Sequence, residues 1–309
     1  MTRSALLLCL LAAACGGSET RPDNPPPTPP APADPALAFR LAYQDPGGMW
    51  MPAQMTLPQH VATFKKMGVE IDARTLADPL KAPLAAVVWL GGCTASFVSP
   101  DGLIVTNHHC VQGMLQLNSD ATHDYIENGF LARTRAEERP AGPSRRVWVV
   151  QSYRDVTAEM RDGLEAIADP VARKKESEKR YKDLLAACEK DRPGTRCQVS
   201  GFFQGAQYQL IEMLEIRDVR VVYAPARAVG DYGGEIDNWE WPRHTGDWSY
   251  LRAYVGPDGK PADYAEANVP FKPQHWLKVS TAGLKPGDFV MVTGYPGQTD
   301  RSDMAVQIH

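Results

Sequence analysis

Beyond its first residues, the 309-residue sequence lacks any apolar run near the roughly 20 residues that a membrane-spanning helix needs. It also lacks an excess of positive charge, since 33 Lys and Arg stand against 37 Asp and Glu and the formal net charge is -4. Nucleic acid is therefore not an expected partner, because polyanion binding depends on clustered positive charge. The sequence contains no internal repeat and neither CxxC nor HExxH, which argues against the common zinc sites.

The N-terminal sequence predicts an export signal. Residues 1–14 hold Arg3, an apolar stretch over 5–11 and three small residues before Cys15, the pattern of a secretory signal peptide. Its ending resembles the bacterial lipoprotein signal, so we expect lipidation of Cys15 and a periplasmic or outer-membrane lipoprotein of a Gram-negative bacterium. An ordinary signal peptide cleaved nearby is the alternative. Membrane contact is expected only through this lipid.

A tether follows the signal. Residues 15–36 are rich in proline and poor in large apolar side chains, so they predict an extended, semi-rigid segment without a core.

The remaining cysteines form an even set, which in an exported protein is typical of disulfides: Cys93, Cys110, Cys188 and Cys197. Sequence does not fix their pairing. Cys188 and Cys197 flank the turn-forming pair Pro193-Gly194, however, so a local bridge between them is sterically easy and would leave Cys93 with Cys110. Metal ligation by these thiols is the competing interpretation, which the missing CxxC spacing and an oxidising compartment disfavour.

From residue 84 onward, short β-type runs alternate with Gly and Pro turns. The runs 94–98 and 103–106 enclose the turn signal Ser99-Pro100-Asp101-Gly102. Closely spaced strands without intervening helices favour an antiparallel barrel or sandwich. Further strands are predicted over 146–153, 219–223, 248–255 and 289–293. Near-helical spacing of apolar residues predicts a helix over 58–67 and an inserted helical segment at about 157–190, with two helices interrupted at Pro170.

The stretch from Gly91 to Cys110 is the first chemically informative motif. Its predicted hairpin brings Asn107-His108-His109-Cys110 back beside Cys93. A bridge between the two cysteines would fasten His109 at the end of its strand, and a general base needs such anchoring to stay within hydrogen-bond reach of a nucleophile. The layout resembles that of chymotrypsin-like serine peptidases. Alternation along the strand turns His108 to the opposite side, where packing is the expected role.

A second motif runs from Gly233 to Asp247, directly before a predicted strand. A triad acid lies buried at such a position and fixes the far nitrogen of the imidazole, so Asp247 is the expected acid. Asp237, in a Gly-rich loop, is the alternative. His244 either orients the loop or is exposed. A zinc site built from His108, His109 and His244 is disfavoured, because the adjacent histidines point to opposite faces of a strand.

Together with Gly48-Met49-Trp50-Met51-Pro52, both motifs are similar to those of the bacterial dipeptidyl-peptidase family that includes dipeptidyl-peptidases 7 and 11 and dipeptidyl aminopeptidase BII. The resemblance covers about residues 48–300. It implies an exported serine exopeptidase with a chymotrypsin-like double barrel and an added helical domain. It also supports Asp247 as the acid, and full-length relatives suggest a homodimer. No cofactor is implied, since triad chemistry needs none.

The resemblance further implies that Asn238 and Trp239 hold the free N-terminal amine of the peptide substrate. An amide oxygen can accept from an ammonium group, and an indole face stabilises a cation. The alternative is that Asn238 caps a turn and Trp239 packs beneath the loop.

A serine nucleophile is the missing element. No serine lies between glycines in the manner of a nucleophile with its oxyanion hole. Members of the resembled family are much longer and carry that serine near the C-terminus. We therefore expect residues 37–309 to form the first barrel part of a serine-type dipeptidyl-peptidase that releases dipeptides from free N-termini, without the second barrel and inactive by itself. The alternative function is a non-catalytic remnant that binds peptide N-termini.

Overall fold

The structure, a computed structural model, describes residues 34–44, 48–237 and 242–295. The predicted signal, Cys15 and most of the predicted tether lie outside these residues. The strands within them are β1 (Val87–Trp89), β2 (Thr94–Phe97), β3 (Leu103–Thr106), β4 (Phe130–Leu131), β5 (Arg139–Pro140), β6 (Val147–Asp155), β7 (Thr195–Phe202), β8 (Gln207–Ile216), β9 (Asp218–Ala224), β10 (Ser249–Val255) and β11 (Val269–Pro270).

Helices precede, interrupt and connect these strands. They are α1 (Pro35–Ala42), α2 (Pro58–Met67), α3 (Ala73–Leu76), α4 (Gln112–Asn118), α5 (Tyr125–Asn128), α6 (Thr157–Arg161), α7 (Pro170–Glu189), α8 (Arg227–Gly230) and α9 (Gly234–Asp237). The helix predicted over 58–67 is confirmed as α2. In the described part of the chain, no helix combines the length and the apolar character that crossing a membrane requires.

The strands form an antiparallel barrel. Hydrogen-bonded neighbours follow the order β4-β9-β10-β3-β2-β1-β6-β8-β7. Because β8 ends at Ile216 and β9 begins at Asp218, one run of chain pairs with β6 along its first part and with β10 along its second. This run closes the sheet into a barrel of β1, β2, β3, β6, β10 and the joined β8 and β9. The predicted antiparallel barrel is thereby confirmed.

Every second residue of β2 and β3 is buried and contributes to the barrel interior. Phe97, Ile104 and Leu251 are fully enclosed. Burying a side chain of this size contributes about 1.5–3 kcal/mol each. The turn between β2 and β3 requires Gly102, which has φ +68° and would place a Cβ 2.8 Å from the carbonyl oxygen of Phe271. The hairpin that ends near His109 is thus fixed by both its core and its turn.

The helical insertion packs against the hairpin of β7 and β8. Asp169 accepts hydrogen bonds from the backbone N–H groups of Val171 and Ala172 and caps α7, with Pro170 in the first position, where its missing N–H costs nothing. Pro170 therefore marks the start of a helix, and both helices predicted in this segment are confirmed. The Cys188–Cys197 disulfide joins the end of α7 to β7.

The strand predicted over 289–293 is wrong. These residues carry no strand assignment, and Val290 and Val292 are 63% and 98% exposed. Their β-branched composition gives a strand only where a neighbouring strand supplies backbone partners. No strand of the described residues pairs with them.

Candidate active site

His109 lies at the turn between β3 and α4. The next residue, Cys110, is buried and is bridged to Cys93 before β2, which is the predicted pairing. A ring nitrogen of His109 and the sulfurs of both cysteines lie within 4.8 Å of one another. The disulfide therefore anchors the backbone on which the imidazole stands. Because both sulfurs are consumed in this bond, the cluster offers no thiolate to a metal.

The two adjacent histidines occupy different environments, as strand alternation predicts. His108 is 1% exposed, whereas the side chain of His109 is 63% exposed. Burial lowers the pKa of His108, while the charges of Asp247 and Asp231 act in the opposite direction. His108 is therefore a packed, neutral ring, and His109 is the histidine that can meet a substrate.

Asp247 is held by the loop that leads into β10. The backbone N–H of Gly246 donates to the carbonyl oxygen of Val229 at 2.8 Å, and the hydroxyl of Thr245 donates to the Gly230 carbonyl at 3.3 Å. The loop is thus tied to α8 directly before the carboxylate. Asp247 itself is less exposed than its partner, with 24% of its side chain accessible.

The carboxylate of Asp247 meets His109 twice. Oδ2 lies 2.8 Å from the ring Nδ1, and Oδ1 accepts the backbone N–H of His109 at 3.0 Å. An ionised carboxylate can only accept, so the proton of the neutral ring resides on Nδ1 and leaves Nε2 as an acceptor. This is the tautomer that a general base needs to take a proton from a nucleophile.

Asn107 completes the surroundings of Asp247. Its Nδ2 donates to Oδ2 at 3.1 Å and to the backbone carbonyl of Asp247 at 3.2 Å. Burial alone would raise the pKa of Asp247, but the hydrogen bonds from His109 and Asn107 outweigh it and hold this pKa below its ordinary value. The carboxylate therefore stays ionised beside the imidazole.

Sequence reasoning missed Asn107. An asparagine offers no acid–base signal, and its contact lies 140 residues away along the chain. The one available signal is its position two residues before His109, which places both side chains on the same side of an extended segment.

Among the described residues, no hydrogen bond joins the other candidates to this pair. The side chain of Asp237 lies against Gly233, the residue before α9, where an added Cβ would come within 1.8 Å of its Oδ2. His244 is exposed. Asn238 and Trp239 lie outside the described residues. In the part of the chain that the structure describes, no serine hydroxyl hydrogen-bonds to His109.

Comparisons with known proteins find relatives of this chain. The model of the family described as Peptidase S46 matches residues 44–309. An Asp/Glu-specific dipeptidyl-peptidase of Shewanella putrefaciens is 48% identical over 261 residues, which are 84% of this chain and 35% of that protein. Dipeptidyl-peptidase 7 of Porphyromonas gingivalis is 38% identical over 256 residues, 82% of this chain and 36% of that protein.

A solved structure is also similar to this chain. The crystal structure of Porphyromonas endodontalis DPP11 in complex with substrate matches with a TM-score of 0.70 at 37% identity, covering 78% of this chain and 36% of that chain. The chain thus spans 35% to 36% of the length of these relatives.

Proposed function

The chain belongs to the peptidase S46 family, and on that premise we propose that His109 and Asp247 are the base and the acid of a serine-type dipeptidyl-peptidase. The 2.8 Å contact between Nδ1 of His109 and Oδ2 of Asp247 carries this proposal. It fixes the tautomer in which Nε2 is free to accept a proton, on a ring that is open to an approaching substrate.

In the proposed reaction, a serine hydroxyl attacks the carbonyl carbon of the second peptide bond from the N-terminus. Nε2 of His109 takes the hydroxyl proton and gives it to the leaving amine, and water then releases the dipeptide by the same steps in reverse. Asp247 stays ionised and stabilises the imidazolium. We assign the serine to a part of the protein outside the described residues, since the chain spans 35% of the Shewanella relative.

The same proposal gives Asn238 and Trp239 the task of holding the substrate ammonium group. They follow α9 and precede the Asp247 loop in sequence, and their side chains suit a cation. Substrates with an acetylated N-terminus should then resist cleavage. Equal cleavage of free and acetylated peptides would contradict the amine-binding role.

For the side chain before the scissile bond, we propose a preference for Asp or Glu. The relative named Asp/Glu-specific shares 48% of residues, against 38% for the dipeptidyl-peptidase 7 of Porphyromonas gingivalis. The test compares release of dipeptides that end in Asp, Glu or Leu. A higher kcat/KM for the Leu series would contradict the preference.

We also propose export and lipid anchoring at Cys15. Two disulfides support an oxidising compartment, because such bonds are rare in a reducing cytosol. Cells fed a labelled fatty acid should incorporate it into the protein, and Cys15→Ser should abolish the label. Unchanged labelling of that variant would contradict the anchor.

The decisive experiment for the function measures dipeptide release from free-amine peptides by the native protein isolated from its source. We expect release by the native protein and none by the purified 309-residue chain. The second candidate, a peptide N-terminus-binding remnant, is favoured by the lack of a serine hydroxyl at His109 among the described residues. It predicts that the native protein binds free-amine but not acetylated peptides in calorimetry, without cleaving either.

A further inference from the structure

Asn107 is a polar side chain at the site that the proposed reaction does not use. It stands directly after β3 and two residues before His109, and it is exposed. A single amide nitrogen reaches both the side-chain Oδ2 and the backbone carbonyl of Asp247, at 3.1 Å and 3.2 Å. One group therefore links the main chain of the acid to its carboxylate.

The two donors on Oδ2 do different work. The ring Nδ1–H of His109 approaches at 2.8 Å and belongs to the imidazole whose Nε2 exchanges the proton in the proposed reaction. An amide NH₂ can donate but has no tendency to release its proton, so Asn107 serves only to orient the oxygen and favour its charged form. With the His109 backbone N–H on Oδ1, both carboxylate oxygens are held. Rotation of the carboxylate about its terminal bond would break contacts at both ends.

From this arrangement we infer that Asn107 is a positioning residue, which holds Oδ2 of Asp247 against Nδ1 of His109 and so maintains the Nδ1–H tautomer of the base. That His109 acts as a base rests on the proposed function, whereas the hydrogen bonds that Asp247 accepts do not depend on peptide cleavage. Without the amide, the carboxylate can turn away from the imidazole, and the ring proton is no longer confined to Nδ1.

The ionisable groups around Asp247 come from two sides. His109 faces it from the end of β3, and the buried His108 feels the charges of both Asp247 and Asp231, the residue that follows α8. None of these groups replaces an amide donor on Oδ2. A substitution of Asn107 therefore removes a hydrogen bond to Asp247 while the side chain of His109 stays the same.

The test uses nuclear magnetic resonance on the 309-residue chain, with a carbon label on the Asp247 carboxyl and nitrogen labels in the imidazoles. Asn107→Leu keeps the approximate size and removes the donor, whereas Asn107→Asp keeps the shape and opposes the carboxylate with a charge. We expect the pKa of Asp247 to rise in Asn107→Leu and to rise further in Asn107→Asp. The His109 nitrogen shifts should move away from the Nδ1–H tautomer in the same order.

A matched control is Asn128→Leu. Asn128 is also exposed and donates one side-chain bond, to the carbonyl of Asp124 at 3.0 Å, so its loss should leave the signals of Asp247 and His109 unchanged. If Asn107→Leu does not fold, Asn107→Asp still gives the upward shift. A wild-type titration of Asp247 in either folded variant would overturn the inference. Because no cleavage is measured, failure here is distinct from failure of the proposed function.

Discussion

The ring of His108 lies directly against Gly230, so that a Cβ at position 230 would come within 2.4 Å of the imidazole Cδ2. Since the carbonyl oxygen of Gly230 also accepts the hydroxyl of Thr245, this contact sets the distance between the turn that carries His109 and the loop that carries Asp247. The buried ring of His108 fills the space that a side chain at position 230 would need.

Gly230→Ala should therefore destabilise the protein by about 1–3 kcal/mol, the usual range for overpacking a core. Gly113→Ala is the matched control. Gly113 lies within α4, and its added Cβ would meet only the flexible end of Arg145, so that substitution should be neutral or stabilising. Urea unfolding of both variants measures the difference. Equal stability of the two would refute the packing role of Gly230.

The Cys93–Cys110 disulfide supports both stability and the site. Replacing both cysteines by alanine should cost about 3 kcal/mol, because it removes the restraint on an unfolded loop of 17 residues. Dipeptide release by the native protein should fall as well, since His109 loses its anchor. Unfolding curves and peptide cleavage test the two effects separately.

The control is the double alanine variant of Cys188 and Cys197. This bridge closes a loop of 9 residues in the helical insertion, so its removal should cost about 2.5 kcal/mol and leave cleavage intact. If both double variants lose cleavage to the same degree, the anchoring role assigned to the first disulfide is wrong.

The lowered pKa of Asp247 predicts how stability changes in acid. Burial opposes ionisation, but hydrogen bonds from His109 and Asn107 prevail, so the folded pKa lies below the ordinary value of 3.8. The contribution of the Asp247 carboxylate to stability is present above pH 3.8 and is lost as the pH falls through its lower pKa in the folded protein. Asp247→Asn should thus be less stable than wild type at about pH 7, and the difference should shrink below about pH 4. A difference in unfolding free energy between wild type and Asp247→Asn that stays constant with pH would contradict this prediction.

Tyr254 predicts the opposite dependence of stability on pH, with a loss in alkali. Burial and its hydrogen bond to Glu138 at 2.8 Å raise its pKa to about 12. The folded pKa exceeds the ordinary 10.0, so the contribution is complete below pH 10 and is lost as the pH rises toward 12. Tyr254→Phe should cost about 1–3 kcal/mol near neutrality, because the buried Glu138 loses a donor, and should weaken the alkaline loss of stability.

Unfolding free energies between about pH 9 and pH 12 test this prediction. Tyr264→Phe is the control, since it removes a hydroxyl from a residue that is 51% exposed. Parallel alkaline losses in wild type and Tyr254→Phe would show that another group is responsible.

Local signals in the sequence predict much of the barrel. The turn at Gly102 and the alternation in 94–98 and 103–106 identify the hairpin, and Asp247 directly precedes a strand that the sequence also predicts. These features depend on neighbours within a few residues. The helices around Pro170 are predictable for the same reason, because their cap and period are local.

Other features depend on distant partners. The β7 and β8 hairpin escaped prediction because polar residues interrupt its alternation, and Cys197, Val199 and Leu210 of this hairpin are buried against the inserted helices. Residues 289–293 have strand composition without a strand partner. Asn107 acquires its role only where the fold brings Asp247 to it. Local propensity carries no information about such contacts.

The central claim is that His109 and Asp247, rather than Asp237, form the base and acid of a dipeptidyl-peptidase. The most direct measurement is kcat/KM for dipeptide release by the native protein carrying His109→Ala, Asp247→Asn or Asp237→Asn. We predict losses of about 10⁴-fold for the first two variants and a value close to wild type for the third. Near wild-type activity in His109→Ala, or a loss in Asp237→Asn that equals that of Asp247→Asn, would contradict the account.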